Sequence, residues 1–370
     1  MKNSTVFIPF SATLGHVCDY SDQTMKILSR DNFVVGIALA SPFSPWKNIV
    51  GFFKQEFLIT LSSTLKILKP IMFFPFQRIE WVKRFNIFLN ILFLNIFFTS
   101  SRKKVLWFFE PRYTSLFIHF LKYDISVYDC VDYFLENRKT EKEHVFLLKK
   151  TQKVFVNSEV LKKKYFPFRK DISVVKLGFS KDQMPLLEIK QKHLKQKTFF
   201  FLGSIDWRID FNFVEKLINN RKKDSFIFIG PQDFKLNNEK EKKLHKQFQT
   251  LINRKKISWI PALPRKEAIK KVSDFDVGVI PYNLSFPFNV FCYPMKVMEY
   301  FYLGIPVIST SIQELKRFPD HIYIPEEKGW SGVASFLESE SFLKQKKRRQ
   351  IALENSWDKK IHSIMRVLDA

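Results

Sequence analysis

Short apolar runs and longer mixed segments alternate from one end of this chain to the other. The short runs are rich in Val, Ile and Phe and mostly close on a turn-forming or polar residue, as strands buried on both faces do. In the first half they are Thr5–Pro9, Phe33–Leu39, Lys104–Phe109, Ile125–Asp129, Val154–Asn157 and Ile172–Lys176. In the second half they are Thr198–Leu202, Ser225–Ile229, Ile257–Ile260, Asp276–Ile280 and Pro306–Ser309. The segments between them are long enough for helices, and this alternation predicts parallel α/β layers. Ser180–Lys197, polar and rich in Lys and Gln, separates the halves. The expected organisation is a domain over 1–180, a linker over 181–197 and a second domain over 198–340. Two Rossmann-like domains facing one another across a cleft follow, with ligands at the carboxyl ends of the strands.

Two further apolar patterns stand apart. The run Phe85–Phe98 is shorter than the roughly 17–25 residues a membrane-spanning helix needs, and its Asn residues mark no single polar face. It is expected to be a largely buried helix of the first domain. Over 341–370 the chain is helix-like, and Trp357, Ile361, Ile364 and Leu368 recur at helical spacing as a packing face.

The candidate chemistry concentrates in Pro294-Met295-Lys296-Val297-Met298-Glu299-Tyr300, closed by Gly304-Ile305-Pro306-Val307. Pro294 suits the first position of a helix and Gly304 the residue just past its end. Lys296 and Glu299 are three residues apart and share a face near the positive end of that helix. An ammonium there suits a diphosphate, and a carboxylate one turn on offers two acceptors to a ribose diol. The competing reading is a capped surface helix carrying a Lys–Glu pair. Upstream, Phe199–Leu202 runs into Gly203-Ser204-Ile205-Asp206-Trp207-Arg208. A glycine after a strand lets backbone N–H groups approach a phosphate, and an Arg nearby can neutralise it, although most such glycines only turn the chain. In Val127-Tyr128-Asp129-Cys130-Val131-Asp132-Tyr133-Phe134 a strand ends among carboxylates. Asp132 is either a general base or a cap for the next helix, and for Asp129 the cap is the favoured reading.

In this order the segments resemble GT-B glycosyltransferases, above all bacterial family 4-like and glucuronosyltransferase-like members that build teichuronic acid, capsule or exopolysaccharide. The resemblance spans most of the chain and is strongest from about Phe199 to Thr310. It implies that Lys296 binds the donor phosphates, or a sugar carboxylate, that Met295 packs near the base, and that Glu299 takes the ribose hydroxyls. Gly203, Ser204 and Arg208 would face the diphosphate. It also implies Asp132 as the base of an inverting transfer and places His16 beside the acceptor. Asn157-Ser158-Glu159 matches a family turn that shapes the cleft. Many retaining relatives carry a Glu eight residues before the ribose Glu, where this chain has Phe291. Asn289 and Tyr293 are the candidates for sugar contacts instead. The last helix, 341–370, would return to the first domain. No cofactor or metal is implied: the donor, expected to be a UDP-sugar, is a substrate, held by the helix terminus and basic side chains.

Composition narrows the partners. With 46% hydrophobic residues over 370 the chain folds into a core. Its net charge of +25 calls for an anionic partner: nucleic acid, acidic lipid or a nucleotide-sugar. From Lys47 to Lys104 there are ten basic and two acidic residues among scattered aromatics, a composition suited to an anionic membrane surface. No zinc finger or RNP motif supports specific nucleic-acid binding. Cys18, Cys130 and Cys292 lie far apart, and the N-terminus shows no signal-peptide pattern, so a cytoplasmic protein at the inner membrane face is expected. The leading expectation is transfer of a sugar to a lipid-linked or polysaccharide acceptor. A nucleotide-sugar epimerase of the same fold, or an inactive binding relative, stands behind it.

Overall fold

The computed structural model describes residues 2–11, 20–98, 102–135, 138–185 and 196–369. The chain divides into two compact units, one formed by 1–178 with 357–370 and the other by 179–356.

The first unit is built on β1 (Thr5–Phe10), β2 (Phe33–Ala38), β3 (Leu58–Thr60), β4 (Leu65–Leu68), β5 (Lys104–Phe108), β6 (Ile125–Cys130), β7 (Lys153–Val156) and β8 (Ile172–Val174). They form one sheet in the order β3-β4-β2-β1-β5-β6-β7-β8. Every pairing is parallel except β3 with β4. The second unit carries β9 (Thr198–Leu202), β10 (Ser225–Ile229), β11 (Ser258–Ile260), β12 (Val277–Ile280), β13 (Val307–Ser309) and β14 (Ile322–Tyr323). Their order, β11-β10-β9-β12-β13-β14, is wholly parallel and is that of a dinucleotide-binding Rossmann sheet. Phe199, Phe200 and Phe201 on β9 are all buried, so consecutive aromatics fill both faces of a central strand. Phe199 stacks on Phe226 at 4.9 Å, and Phe200 meets Tyr300 edge-on at 4.8 Å.

The apolar-run pattern missed β3, β4 and β14. β3 and β14 are two- or three-residue edge strands, and β3 is largely accessible, so neither makes a long buried run. The run Phe85–Phe98 lies in the helix Glu80–Phe97, which is buried along one stripe only. That stripe includes Asn86 and Asn90, while Trp81, Phe85, Ile96 and Phe97 face outward. The asparagines face inward because they clamp backbone. Asn90 accepts from the Ile71 N–H at 2.8 Å and donates to its carbonyl at 2.9 Å. Asn86 does the same to Phe74 at 2.9 and 2.8 Å.

The C-terminal segment is two helices rather than one. Phe342–Glu354 belongs to the second unit and packs on the helix Lys296–Tyr302, whereas Trp357–Asp369 belongs to the first. The break lies at Asn355-Ser356, where Phe179 N–H bonds the Asn355 carbonyl at 2.9 Å. Trp357, Ile361, Ile364 and Leu368 are the buried face of the final helix. Its Lys360 ammonium bonds Asp129 at 2.7 Å, both side chains being fully buried. Asp129 therefore does not cap a helix: it lies inside β6, and burial raises its pKa while Lys360 opposes the rise.

Candidate functional site

The helix Lys296–Tyr302 has seven residues and starts later than its sequence suggests, with Met295 as cap and Pro294 just outside. Its end follows expectation. Gly304, at φ +77°, donates to the Phe301 carbonyl, and Ile305 N–H reaches back to Tyr300, both at 2.9 Å. This pair of bonds satisfies the last carbonyls and stops the helix. Val297 through Tyr302 are buried, so it is no surface helix. Tyr300 anchors it, its hydroxyl accepting from the Leu202 N–H at the end of β9 at 3.0 Å.

This anchoring brings Lys296 to the carboxyl ends of β9 and β12, where the strand order reverses and where open α/β sheets bind ligands. The ammonium lies over the ring of Phe201 at 4.3 Å and near that of Tyr282 at 5.4 Å. A Cβ built on Gly203 would stand 2.5 Å from the Lys296 Nζ, and Gly203 holds φ at +142°. The backbone thus favours glycine at 203, and a side chain there would displace the Lys296 ammonium from its place. Burial, then repulsion from Arg208, depresses the Lys296 pKa to about 7, with Glu299 and Asp206 opposing. A half-buried ammonium set against two rings and beside a second cation suits an anion.

The partners of the other residues differ from a simple reading of the motif. Glu299 pairs with Arg265, not Lys296. Arg208 grips Asp206 with its guanidinium, Nη2 to Oδ2 at 2.6 Å and Nε to both oxygens at 3.0 Å. Ser204 is half-buried beside Gly203, and Met295 is half-buried next to Lys296. Asn289 is fully buried and ties two loops together, its amide donating to the carbonyls of Arg208 at 3.2 Å and Asn283 at 2.8 Å. Tyr293 is buried, and burial raises its hydroxyl pKa to about 12 against the influence of Arg317. Its hydroxyl finds no hydrogen-bond partner among the described residues.

In the first unit Asp132 follows β6, half-buried, in a loop held at several points. Its carbonyl accepts from the Tyr165 hydroxyl at 3.2 Å and the Cys130 thiol at 3.3 Å. Asn157 donates to the Val131 carbonyl, and Ser158 caps the helix Glu159–Tyr165 by accepting from Leu161 at 3.1 Å. These bonds are the physical content of the Asn157-Ser158-Glu159 turn. His16 lies outside the described residues.

Sequence reasoning missed Arg265, Asp206 as its neighbour's partner, and the rings under Lys296. Arg265 carries a faint signal: a cation at the first position of a helix opposes the helix dipole, so its charge must be used elsewhere. Asp274-Phe275-Asp276, an Asp-x-Asp triplet, stands at the opposite, amino end of β12, where Asp276 accepts from the Thr198 N–H at 2.8 Å. No group of three His, Cys, Asp or Glu side chains arranged as for a metal ion occurs among the described residues.

A Rossmann sheet in the second unit and a mostly parallel sheet of related order in the first are the two sheets of the GT-B fold, and solved structures of that class align over 99% of the chain. A sucrose-phosphate synthase from Thermosynechococcus elongatus aligns with a TM-score of 0.72 at 10% identity, over 99% of this chain and 98% of its own. HepE from Anabaena, solved with UDP-glucose, aligns with a TM-score of 0.67 at 11% identity over 99% of both chains. Among curated sequences, a Bacillus subtilis (strain 168) protein provisionally named a teichuronic acid biosynthesis glycosyltransferase, TuaH, is 23% identical over 173 residues. That match spans 45% of this chain and 41% of TuaH. No family model matches.

Proposed function

We propose that the protein is a glycosyltransferase that moves a sugar from a nucleoside-diphosphate sugar, a UDP-sugar first among them, to an acceptor hydroxyl. The observation that carries this reading is the Lys296 ammonium, desolvated at the strand-order reversal of the second unit and pressed by Arg208. A donor diphosphate relieves both penalties at once. Glu299, held by Arg265, accepts the ribose hydroxyls, and Gly203 leaves room for the phosphates. The HepE complexes with UDP-glucose and UDP support this donor class.

The second unit takes the donor in this reading and the first takes the acceptor. The acceptor hydroxyl gives its proton to the Asp132 carboxylate as its oxygen bonds the anomeric carbon. The bond from that carbon to the diphosphate breaks, and UDP leaves with the electron pair. His16, outside the described residues, keeps the acceptor-side role that the resemblance implies, and Asn289 and Tyr293 remain the candidates for the sugar. An acceptor carried by a membrane lipid is supported by the surface of the first unit. Of the large apolar side chains exposed among the described residues, all but four lie between Trp46 and Phe120. Phe53 is 79% exposed and Trp81 69%, with Lys47, Lys54, Arg78 and Lys83 interleaved. No described helix is long and apolar enough to cross a membrane, so the surface suits attachment by contact with anionic lipid.

Thermal unfolding with UDP, GDP, dTDP, ADP and CMP tests the donor site. A ligand at a hundred times its Kd adds about 2.7 kcal/mol of stability. UDP is expected to raise the melting temperature of the wild type but not of Lys296→Ala, and Asp132→Asn is expected to keep that rise while losing transfer. An unchanged UDP response in Lys296→Ala would move the donor elsewhere.

A further inference from the structure

The first unit contains a cavity of about 720 Å³ that the donor chemistry does not use. It lies past the carboxyl ends of β1, β2 and β5, lined by Ser11, Ala40 and Tyr113, where the order of that sheet reverses between β1 and β5. This is the position at which an open α/β sheet receives a ligand, and the volume suits a small molecule. Tyr113 holds φ +54° and ψ +22°, a left-handed conformation that costs a bulky residue of order 1–3 kcal/mol and so points to a function. Lys83 lies over its ring at 5.4 Å and the Arg84 guanidinium at 6.0 Å.

The charges around the cavity are unequally matched. Glu143 is engaged by the Thr114 hydroxyl at 2.6 Å, the Ser115 N–H at 3.0 Å and hydroxyl at 2.9 Å, and Arg84 at 3.6 Å. Arg112 pairs with Glu110 at 3.2 Å, and Glu80 lines the rim. Lys83 and Lys142, which also line it, form an ion pair with no carboxylate among the described residues. The helix that supplies Lys83 and Arg84 also presents Trp81 and Phe85 to the outside. Cations and an aromatic ring inside, beside an exposed apolar face, describe an amphiphile.

We propose that this cavity binds the phosphate-linked head of a lipid acceptor. The phosphate meets Lys83 and Lys142, the head group lies against the Tyr113 ring, and the hydrocarbon runs out along Trp81 and Phe85. The assignment of this amphiphile as the acceptor rests on the transferase reading. Calorimetric titration of the full chain, with UDP saturating so that the donor site is filled, tests it with decyl phosphate, glucose 1-phosphate, inorganic phosphate and decanol. Decyl phosphate is expected to bind at least about tenfold more tightly than the other three, and Lys83→Ala/Lys142→Ala to lose about tenfold or more of that affinity. The UDP-induced rise in melting temperature stays unchanged in that variant. Lys142→Glu, at an exposed position, serves as a fold-safe second variant and is expected to weaken decyl phosphate alone. Equal binding of decyl phosphate and inorganic phosphate would overturn the lipid, and wild-type affinity in both variants would overturn the site. Protein that binds UDP but not decyl phosphate sinks the cavity assignment only. Protein that binds decyl phosphate but no nucleotide sinks the transferase reading and leaves a lipid-phosphate site.

Discussion

Lys296 is the residue on which the proposed donor site turns. Its ordinary pKa lies near 10.4, and burial with Arg208 nearby brings it to about 7. Between those two values the unfolded chain holds a proton that the native state lacks, so this residue makes the protein more stable as pH rises through that window. A bound diphosphate reverses the preference by stabilising the ammonium. UDP binding at pH 8 is therefore expected to draw up to about one proton from solution, and its affinity to fall as pH rises above 7. Calorimetry in buffers of different protonation heat measures that uptake directly. Its loss in Lys296→Met supports the contact, while identical uptake in that variant denies it.

The final helix and β6 are joined by a single buried charge pair, Asp129 with Lys360, in addition to an apolar stripe. Removing one partner strands a charge without solvent, so Lys360→Met is expected to cost about 3–5 kcal/mol. Replacing both, as Asp129→Leu/Lys360→Met, is expected to recover most of that loss. Urea unfolding of the two variants measures the difference, and a harmless Lys360→Met would mean that the apolar stripe alone holds the helix. The helix Glu80–Phe97 uses neutral polar groups instead. Asn86 and Asn90 lie on its buried stripe and hold the backbone at Phe74 and Ile71, which turns its apolar remainder toward the outside.

The molecule as a whole concentrates its exposed aromatics in the first unit, amid an excess of cations. Sedimentation with vesicles is expected to retain the protein on anionic lipid at low salt, to release much of it at high salt, and to leave it free of neutral vesicles. Phe53→Ser/Trp81→Ser removes two apolar contacts of about 1.5–3 kcal/mol each, and so is expected to weaken retention even at low salt. Retention indifferent to both salt and these substitutions would rule out this surface as the docking face.

Eleven of the fourteen described strands were readable, most of them because a strand buried on both faces is a continuous apolar run, a purely local mark. β3 and β14, three and two residues long, are too short to carry such a mark. The Lys296-to-Gly304 element was readable for the same reason, since a helix spacing and a glycine stop are local. Its inner logic was not. Glu299 meets Arg265 and Lys296 meets Gly203 because the order β11-β10-β9-β12-β13-β14 brings distant strand ends side by side. The cavity of Tyr113, Lys83 and Lys142 likewise draws on three separate stretches of chain. Local periodicity thus sufficed to specify the elements and their kind, because burial acts on each residue where it stands. Which charges meet, and which remain unmatched, depended on how the sheets order their strands, and no stretch of the chain records that alone.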